Sequence, residues 1–308
     1  MDSTKVTLFN GNIIHLENLT NEEIIKLHFA EENQYAKAIL MAPAFSKQRE
    51  DLLNRGYSLI HDLVAYRCNR MGESFLLSNG EFGSKVVVKT LKYIKKRFPH
   101  ENVVFFEAGF GPGVALNAAA KFVNVEIHGC DVDISNFKSE NNNFKLYEGN
   151  VFSALEKIPD NFIDVFYWSD VLEHIPPDEI EGHIKLIYRK LKNKGYLITI
   201  TPNWYLRPTD ITRLLYPPGT ESMGFHLKEY TYQQLSKLFV KLNFKTIFSP
   251  YFLVPKSREV IISFGIFSKL WHKIKFFFEP LAGMLPYPLK AYFIQFFGYH
   301  TIIARKLL

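Results

Sequence analysis

Polar and apolar residues alternate at the start of the chain. From Lys5 to Phe9 and from Asn12 to Leu16 they switch around Asn10-Gly11, which predicts a short hairpin because Asn-Gly accepts the positive φ of a tight turn. From Asn21 to about Arg67 the apolar positions recur at helical spacing, with Thr20 or Asn21 as the cap and Pro43 as a break. Residues 1–82 are therefore expected to form an N-terminal hairpin and a helical cap. Gly83 to Phe98 then predicts the helix that opens a core over residues 83–249.

Inside that core the pattern changes to solid apolar runs. Val103-Val104-Phe105-Phe106 suits a central parallel strand covered on both faces. It leads into Glu107-Ala108-Gly109-Phe110-Gly111-Pro112-Gly113, where alternate glycines remove the Cβ atoms that would hold a ligand off and permit positive φ. Val114 to Phe122 reads as the following helix, with its first amides directed toward the ligand. A dinucleotide fingerprint needs its third glycine three residues after the second, and that position is Val114. The early Gly113 and the carboxylate of Glu107 suit a ligand with a cationic amino-acid portion better than a pyrophosphate. The next run, Val125 to Cys130, ends on Asp131, about 20 residues after the glycines, where doubly wound sheets place the group that bonds ribose hydroxyls. Asp133 is equally suited to capping a helix.

With these residues in place, the chain resembles the class I S-adenosylmethionine-dependent methyltransferases. Glu107 to Gly113 resembles that family's first motif, and Gly129-Cys130-Asp131 its second. Tyr147 to Phe152 resembles the third-strand motif, with Asn150 where the family usually has the Asp that meets the adenine amino group; an amide oxygen can serve the same donor. Phe162 to His174 resembles the fourth strand and its active-site loop, and Lys194 to Asn203 the fifth strand. The resemblance implies an α/β, Rossmann-like fold with a seven-stranded, mostly parallel sheet and an antiparallel last strand. S-adenosyl-L-methionine is the implied cofactor, bound by Glu107, Gly109, Gly111, Gly113, Asp131, Asn150, Val151 and Ser169.

Composition narrows the setting. Cys68 and Cys130 are the two cysteines, too few for a disulfide framework, so a reducing cytoplasm is expected. The net charge of +6 invites a nucleic-acid reading, yet the lysines are scattered except in small groups such as Lys92, Lys95, Lys96 and Arg97, which suit the end of a helix. The Asn- or Asp-Pro-Pro-aromatic signature of adenine-flipping methyltransferases is replaced by Asp170-Val171-Leu172-Glu173. A small-molecule substrate and no nucleic acid are therefore expected.

The tail departs from a plain core. Phe244 to Phe248 and His300 to Arg305 read as the sixth and seventh strands, which in the family form an antiparallel pair. Between them lies a segment rich in aromatics, among them Phe267, Trp271, Phe276, Phe277, Phe278, Tyr292 and Phe293. Residues 250–308 are thus an aromatic helical insertion plus the final strand. The insertion reads as two helices packed on the core or the cap, as a lid over a hydrophobic substrate, or as a peripheral membrane contact beside Lys269, Lys273 and Lys275.

Methyl transfer needs a nucleophile held in line with the sulfonium methyl, and a base only when that nucleophile carries a proton. His174, just past the fourth strand, and His226, in the segment before the last long helix, are the candidate catalytic residues; Tyr205, Arg207 and Glu221 are candidate substrate-binding residues. Asp170, Glu173 and His174 are spaced like a divalent-metal motif of the quinone-biosynthesis O-methyltransferases, although many relatives keep this loop without a metal, and none is expected. The expected reaction is methyl transfer to a hydroxyl or amine of a small molecule, with a tilt toward sugar or natural-product intermediates from similarity to bacterial methyltransferases. The competing readings are a non-catalytic S-adenosylmethionine-binding protein, a nucleic-acid methyltransferase and a nicotinamide-dependent reductase.

Overall fold

The structure is a computed structural model that describes residues 4–72, 77–134, 137, 139, 143–252, 260–261 and 264–307. The chain divides into two units that interleave in sequence: Met1–Leu77 with Glu173–Glu179 and Leu206–Glu229, and Ser78–Leu172 with Ile180–Tyr205 and Tyr230–Leu308. The helical unit thus takes in two short segments that lie inside the core in sequence.

In the helical unit, β1 (Lys5–Thr7) and β2 (Ile13–His15) form the hairpin, in antiparallel register with Val6 opposite Ile14, and Gly11 takes φ 86° in its turn. Helix α1 (Asn21–Met41) starts on a capping box in which Thr20 accepts from the Glu23 amide and Glu23 accepts from the Thr20 amide. It stops before Pro43, and α2 (Lys47–Met71) follows, ending on left-handed Gly72. Val6, Leu16, Tyr35, Ile39, Leu59, Leu63 and Phe225 make the apolar core of this unit. The loop 222–229 is tied to α1 by polar side chains: Glu32 accepts the Phe225 amide at 2.9 Å and Asn33 donates to the Met223 carbonyl at 2.8 Å. A second tie runs through Arg49, buried and bonded to Asp178 at 2.7 Å and Glu179 at 2.9 Å.

The second unit begins with α3 (Leu77–Arg97), whose start precedes the expected Gly83. Its further elements are β3 (Val103–Ala108), α4 (Val114–Ala119), β4 (Val125–Asp131), β5 (Phe144–Glu148), α5 (Val151–Glu156), β6 (Ile163–Ser169), α6 (Ile180–Lys190) and β7 (Leu191–Ile200). Then come α7 (Tyr232–Lys241), β8 (Phe244–Phe248), the short pair β9 (Tyr251–Phe252) and β10 (Val260–Ile261), α8 (Ile266–Gly283), α9 (Tyr287–Phe296) and β11 (Thr301–Lys306). The main sheet runs β5-β4-β3-β6-β7-β11-β8. β3 to β7 are parallel, while β11 pairs antiparallel with both β7 and β8. The expected seven-stranded Rossmann-like sheet with an antiparallel last strand is the one observed.

Every residue of β3 is buried, as a solid apolar run in a central parallel strand requires. Helix α3 lies so close to the sheet that a Cβ on Gly83 would fall 1.8 Å from the Tyr167 hydroxyl, so glycine there sets the packing distance. The aromatic insertion is a helical pair joined to this unit through one face of α8. Ser268, Lys275, Glu279 and Ala282 are buried on that face, whereas Phe267, Phe277, Phe278 and Leu281 are exposed. Lys275, expected beside a membrane contact, is wholly buried instead: its ammonium donates to Ser249 Oγ and the Gly298 carbonyl and lies 4.6 Å from the Tyr232 ring centre.

Candidate functional site

In the sheet, β3 has β4 on one side and β6 on the other, so the strand order reverses between β3 and β6. Open α/β sheets bind ligands at the carboxyl ends of the strands at such a reversal. Two loops of this chain leave the sheet there: Gly109 to Gly113 after β3, and Ser169-Asp170 after β6.

Gly109, Gly111 and Gly113 all take left-handed φ, at 67°, 47° and 74°. Their surroundings differ. A Cβ on Gly109 would fall 2.4 Å from Val171, and one on Gly113 would fall 2.2 Å from the Phe137 ring, whereas one on Gly111 would meet nothing within 4 Å. The outer two glycines therefore serve packing, and Gly111 leaves open backbone at the mouth of the turn.

Among the described residues, no cation pairs with the carboxylates at the turn. Glu107 is buried and accepts the Leu116 amide in the first turn of α4, while its Oε2 has no hydrogen-bond partner among the described residues. Burial, with the nearby charge of Asp131, pushes its carboxyl well above the usual range, against the pull of the Leu116 amide. Asp131 at the end of β4 accepts the Gly111 amide at 2.7 Å and the Asp133 amide at 3.3 Å. These bonds fix the carboxylate beside the turn, and burial raises its pKa despite them. A positive ligand beside these two carboxylates would favour their charged forms and offset the cost of burying them.

The remaining cofactor expectations sit on the same unit. Asn150 caps α5, its Oδ1 accepting the Ser153 amide at 2.8 Å, and Val151 opens that helix as a buried residue. Its side-chain oxygen is thus engaged locally. Ser169 ends β6 and donates from Oγ to Asp170 Oδ2 at 2.9 Å.

The histidines lie in the helical unit. His174 Nδ1 is 2.9 Å from the Phe225 carbonyl, an acceptor that fixes the proton on Nδ1 and leaves Nε2 with the lone pair. Burial and the neighbouring His226 push its pKa down to about 3, against the bond to Phe225. His226 Nδ1 is 3.0 Å from Glu229 Oε1 and 2.9 Å from Thr209 Oγ1. For this ring burial is again the largest influence and lowers the pKa, but the Glu229 bond and the charges of Glu173, Glu229 and Asp210 outweigh it and hold the imidazole up, at about 9. The two rings are 5.0 Å apart in an edge-to-face arrangement. His174 is thus neutral and His226 cationic near neutral pH.

Sequence reasoning missed Glu229, Thr209 and Ser222, which build the seat of His226: Glu229 Oε1 also accepts from the Thr209 amide at 3.1 Å and from Ser222 Oγ at 2.8 Å. The spacing His226 to Glu229 was a visible signal, but the convergence of Thr209 and Ser222 depends on loop geometry. The spacing of Asp170, Glu173 and His174, for which no metal is expected, differs in one member from the donor group that the described residues bring together. Glu173, His174 and His226 each offer a ligand atom within 4.8 Å of the others, while Asp170 is outside this group and bonds Ser169 at the end of β6. Of the expected substrate residues, Arg207 pairs with exposed Glu221 at 3.0 Å. Tyr205 belongs to the other unit, where its ring lies against Gly283 so closely that a Cβ there would fall 2.1 Å away.

Comparison with known proteins agrees with the fold. Residues 106–199 match the model of a family described as a methyltransferase domain. Among solved structures, the plantazolicin methyltransferase BamL in complex with a triazolic desmethylPZN analog and SAH is similar with a TM-score of 0.50 and 11% identity, over 93% of this chain and 98% of that one. The CurJ carbon methyltransferase is similar with a TM-score of 0.50 and 10% identity, over 94% of this chain and 72% of that one. A SAM dependent methyltransferase from Archaeoglobus fulgidus is matched at 18% identity and a TM-score of 0.41, over 71% and 94% of the two chains. No curated protein matches the chain.

Proposed function

We propose that this chain is an S-adenosylmethionine-dependent methyltransferase that methylates a hydroxyl, or an amine, of a small molecule such as a sugar or natural-product intermediate. The observation that carries the cofactor is the pairing of left-handed, unobstructed Gly111 with two carboxylates, Glu107 and Asp131, whose pKa values burial holds above the ordinary range and which a cationic ligand would bring back toward their charged forms. The methyl donor's ammonium and sulfonium meet that demand, and its ribose diol offers two donors to a carboxylate such as Asp131. The match over residues 106–199 and the SAH bound to the plantazolicin methyltransferase of the same fold support the same ligand.

Sulfonium supplies an activated methyl group, so this chain's own residues need only orient the acceptor, exclude water and take up its proton. Glu229 orients His226 and stabilises its charge, the relation in which a carboxylate serves an imidazole base. At about 9 His226 accepts a hydroxyl proton most effectively as pH rises toward that value. His174, neutral and bonded to Phe225, holds the ring beside it. Arg207 with Glu221 remains the candidate group for polar substituents of the acceptor.

Calorimetry with S-adenosylhomocysteine tests the cofactor; absence of heat at millimolar ligand, or preferential binding of a nicotinamide dinucleotide, overturns it. His226→Ala is expected to lower kcat by about 10²–10⁴-fold and leave the affinity for S-adenosylhomocysteine unchanged. A metal-assisted reading rests on the Glu173-His174-His226 donor set: turnover lost on chelation and restored by a divalent ion would favour it over proton transfer to His226.

A further inference from the structure

We propose that the outward face of the α8–α9 pair docks on an anionic lipid bilayer. More than half of the large apolar side chains that are exposed among the described residues fall between Ile266 and Phe293. Along α8 they recur at helical spacing, as Phe267 (60% exposed), Leu270, Ile274, Phe277 (72%), Phe278 and Leu281, and Met284 (79%) follows at its end. One side of α8 is thus an apolar stripe facing solvent, while the opposite side holds buried Lys275 and Glu279. Contiguous exposed faces of this kind mark interaction surfaces in soluble domains.

The charges select the occupant. From Gly265 to Tyr299 the only acidic residue is Glu279, and it is wholly buried. Its carboxylate is occupied by Asn203, Tyr232 and Gln233. The exposed basic side chains of the pair are Lys269 and Lys273, both on α8, and Lys290 on α9 is half-buried. Lys237 of α7 adds a further exposed cation, its ammonium 5.9 Å from the Phe276 ring centre. An apolar face bordered, among the described residues, by lysines complements a surface of acyl chains beneath anionic headgroups, because lysine stems can lie along the hydrocarbon while their ammonium groups stay at headgroup level. A second copy of the chain fits less well: a two-fold interface presents the same patch to itself, setting lysines against lysines with no acid on the face to pair them.

The mode of contact is in-plane. No helix among the described residues is long and apolar enough to cross a membrane, and the stripe runs along the length of α8, so the helix lies flat with its phenylalanines inserted. Tyr287 and Tyr292, both exposed, suit the boundary between headgroups and acyl chains.

Vesicle flotation of the full chain tests this with phosphatidylcholine vesicles and with vesicles carrying about 30% phosphatidylglycerol, near physiological ionic strength. Recovery with the anionic vesicles is expected to exceed that with the zwitterionic ones about tenfold and to fall as salt screens the headgroups. The Phe277→Ser/Phe278→Ser variant is expected to lose binding to both. Lys269→Glu/Lys273→Glu is expected to lose the preference for anionic lipid. All four side chains point to solvent, so the thermal unfolding of both variants should match the parent, which separates a lost contact from a lost fold. Absence of binding to either vesicle, binding untouched by both variants, or a solution dimer in sedimentation that Phe277→Ser/Phe278→Ser dissociates would overturn the proposal, the last by giving the face to a second copy.

Discussion

Gly111 and Gly113 carry the same residue type and the same left-handed backbone, and the structure gives them different consequences. At Gly111 an added Cβ meets nothing within 4 Å, so Gly111→Ala costs about 1–2 kcal/mol of backbone strain. It is expected to weaken S-adenosylhomocysteine binding about tenfold or more, since tenfold is about 1.4 kcal/mol. Gly113→Ala adds a 2.2 Å clash with Phe137, so its melting temperature should fall further. Calorimetry beside thermal unfolding separates the two, and equal effects on binding and stability at both positions would refute the distinction. For His226 the pH dependence has a definite sign. Its folded pKa of about 9 lies above the ordinary imidazole value of 6.5, so the stability it contributes is fully present below 6.5 and is lost as pH rises through about 9. Denaturation between about pH 6 and about pH 10 should show this decline in the parent and a weaker one in Glu229→Gln, which removes the partner charge. Glycines and the strand-end Asp131 were legible because each acts through its own backbone or its place after a strand. Glu229 was not, because its role depends on Thr209, Ser222 and His226 meeting in one loop.

Helix termini show how far local sequence reaches. Thr20 and Glu23 close the start of α1 within four residues, and the Thr20 cap was visible for that reason. Thr20→Ala is expected to lower stability by about 0.5–2 kcal/mol in urea titration. At α7 the cap is split. Thr231 accepts the Gln234 amide, as its sequence suggests, while the amides of Tyr232 and Gln233 are taken by Glu279 from α8, at 2.6 and 2.7 Å. Asn203 donates to the same carboxylate at 2.8 Å. Removing it leaves buried donors unsatisfied at about 1–3 kcal/mol each. Glu279→Ala should therefore lower the melting temperature more than Thr20→Ala, and Glu279→Gln should recover part of the loss by keeping one acceptor oxygen. A smaller effect for Glu279→Ala than for Thr20→Ala would contradict the shared cap. No pattern of hydrophobicity could have connected residue 279 to residue 232, since the link is made across the fold.

At the scale of the molecule, ligand binding and folding are linked through the unit that carries the glycine turn. S-adenosylhomocysteine at about 100 times its Kd should stabilise that unit by about 2.7 kcal/mol, read as a concentration-dependent rise in melting temperature that a nicotinamide dinucleotide does not reproduce. An equal rise with the dinucleotide would return the chain to the reductase reading. The sequence by itself determined the succession of strands and helices along the core, the turn at Gly109 to Gly113, the strand-end carboxylate Asp131, and the helical nature of the insertion. These follow from interactions of short range: periodicity along one element, φ permitted at one residue, an amide capped by a side chain three positions away. Only the tertiary structure decided that residues 173–179 and 206–229 belong with the N-terminal helices. The same holds for His226 joining Glu173 and His174 in place of Asp170. It also decided which aromatic residues of the insertion stay exposed while Lys275 is buried. Each of these outcomes depends on which distant surfaces meet, and burial, pKa and partner are properties of that meeting rather than of any residue's neighbours in the chain.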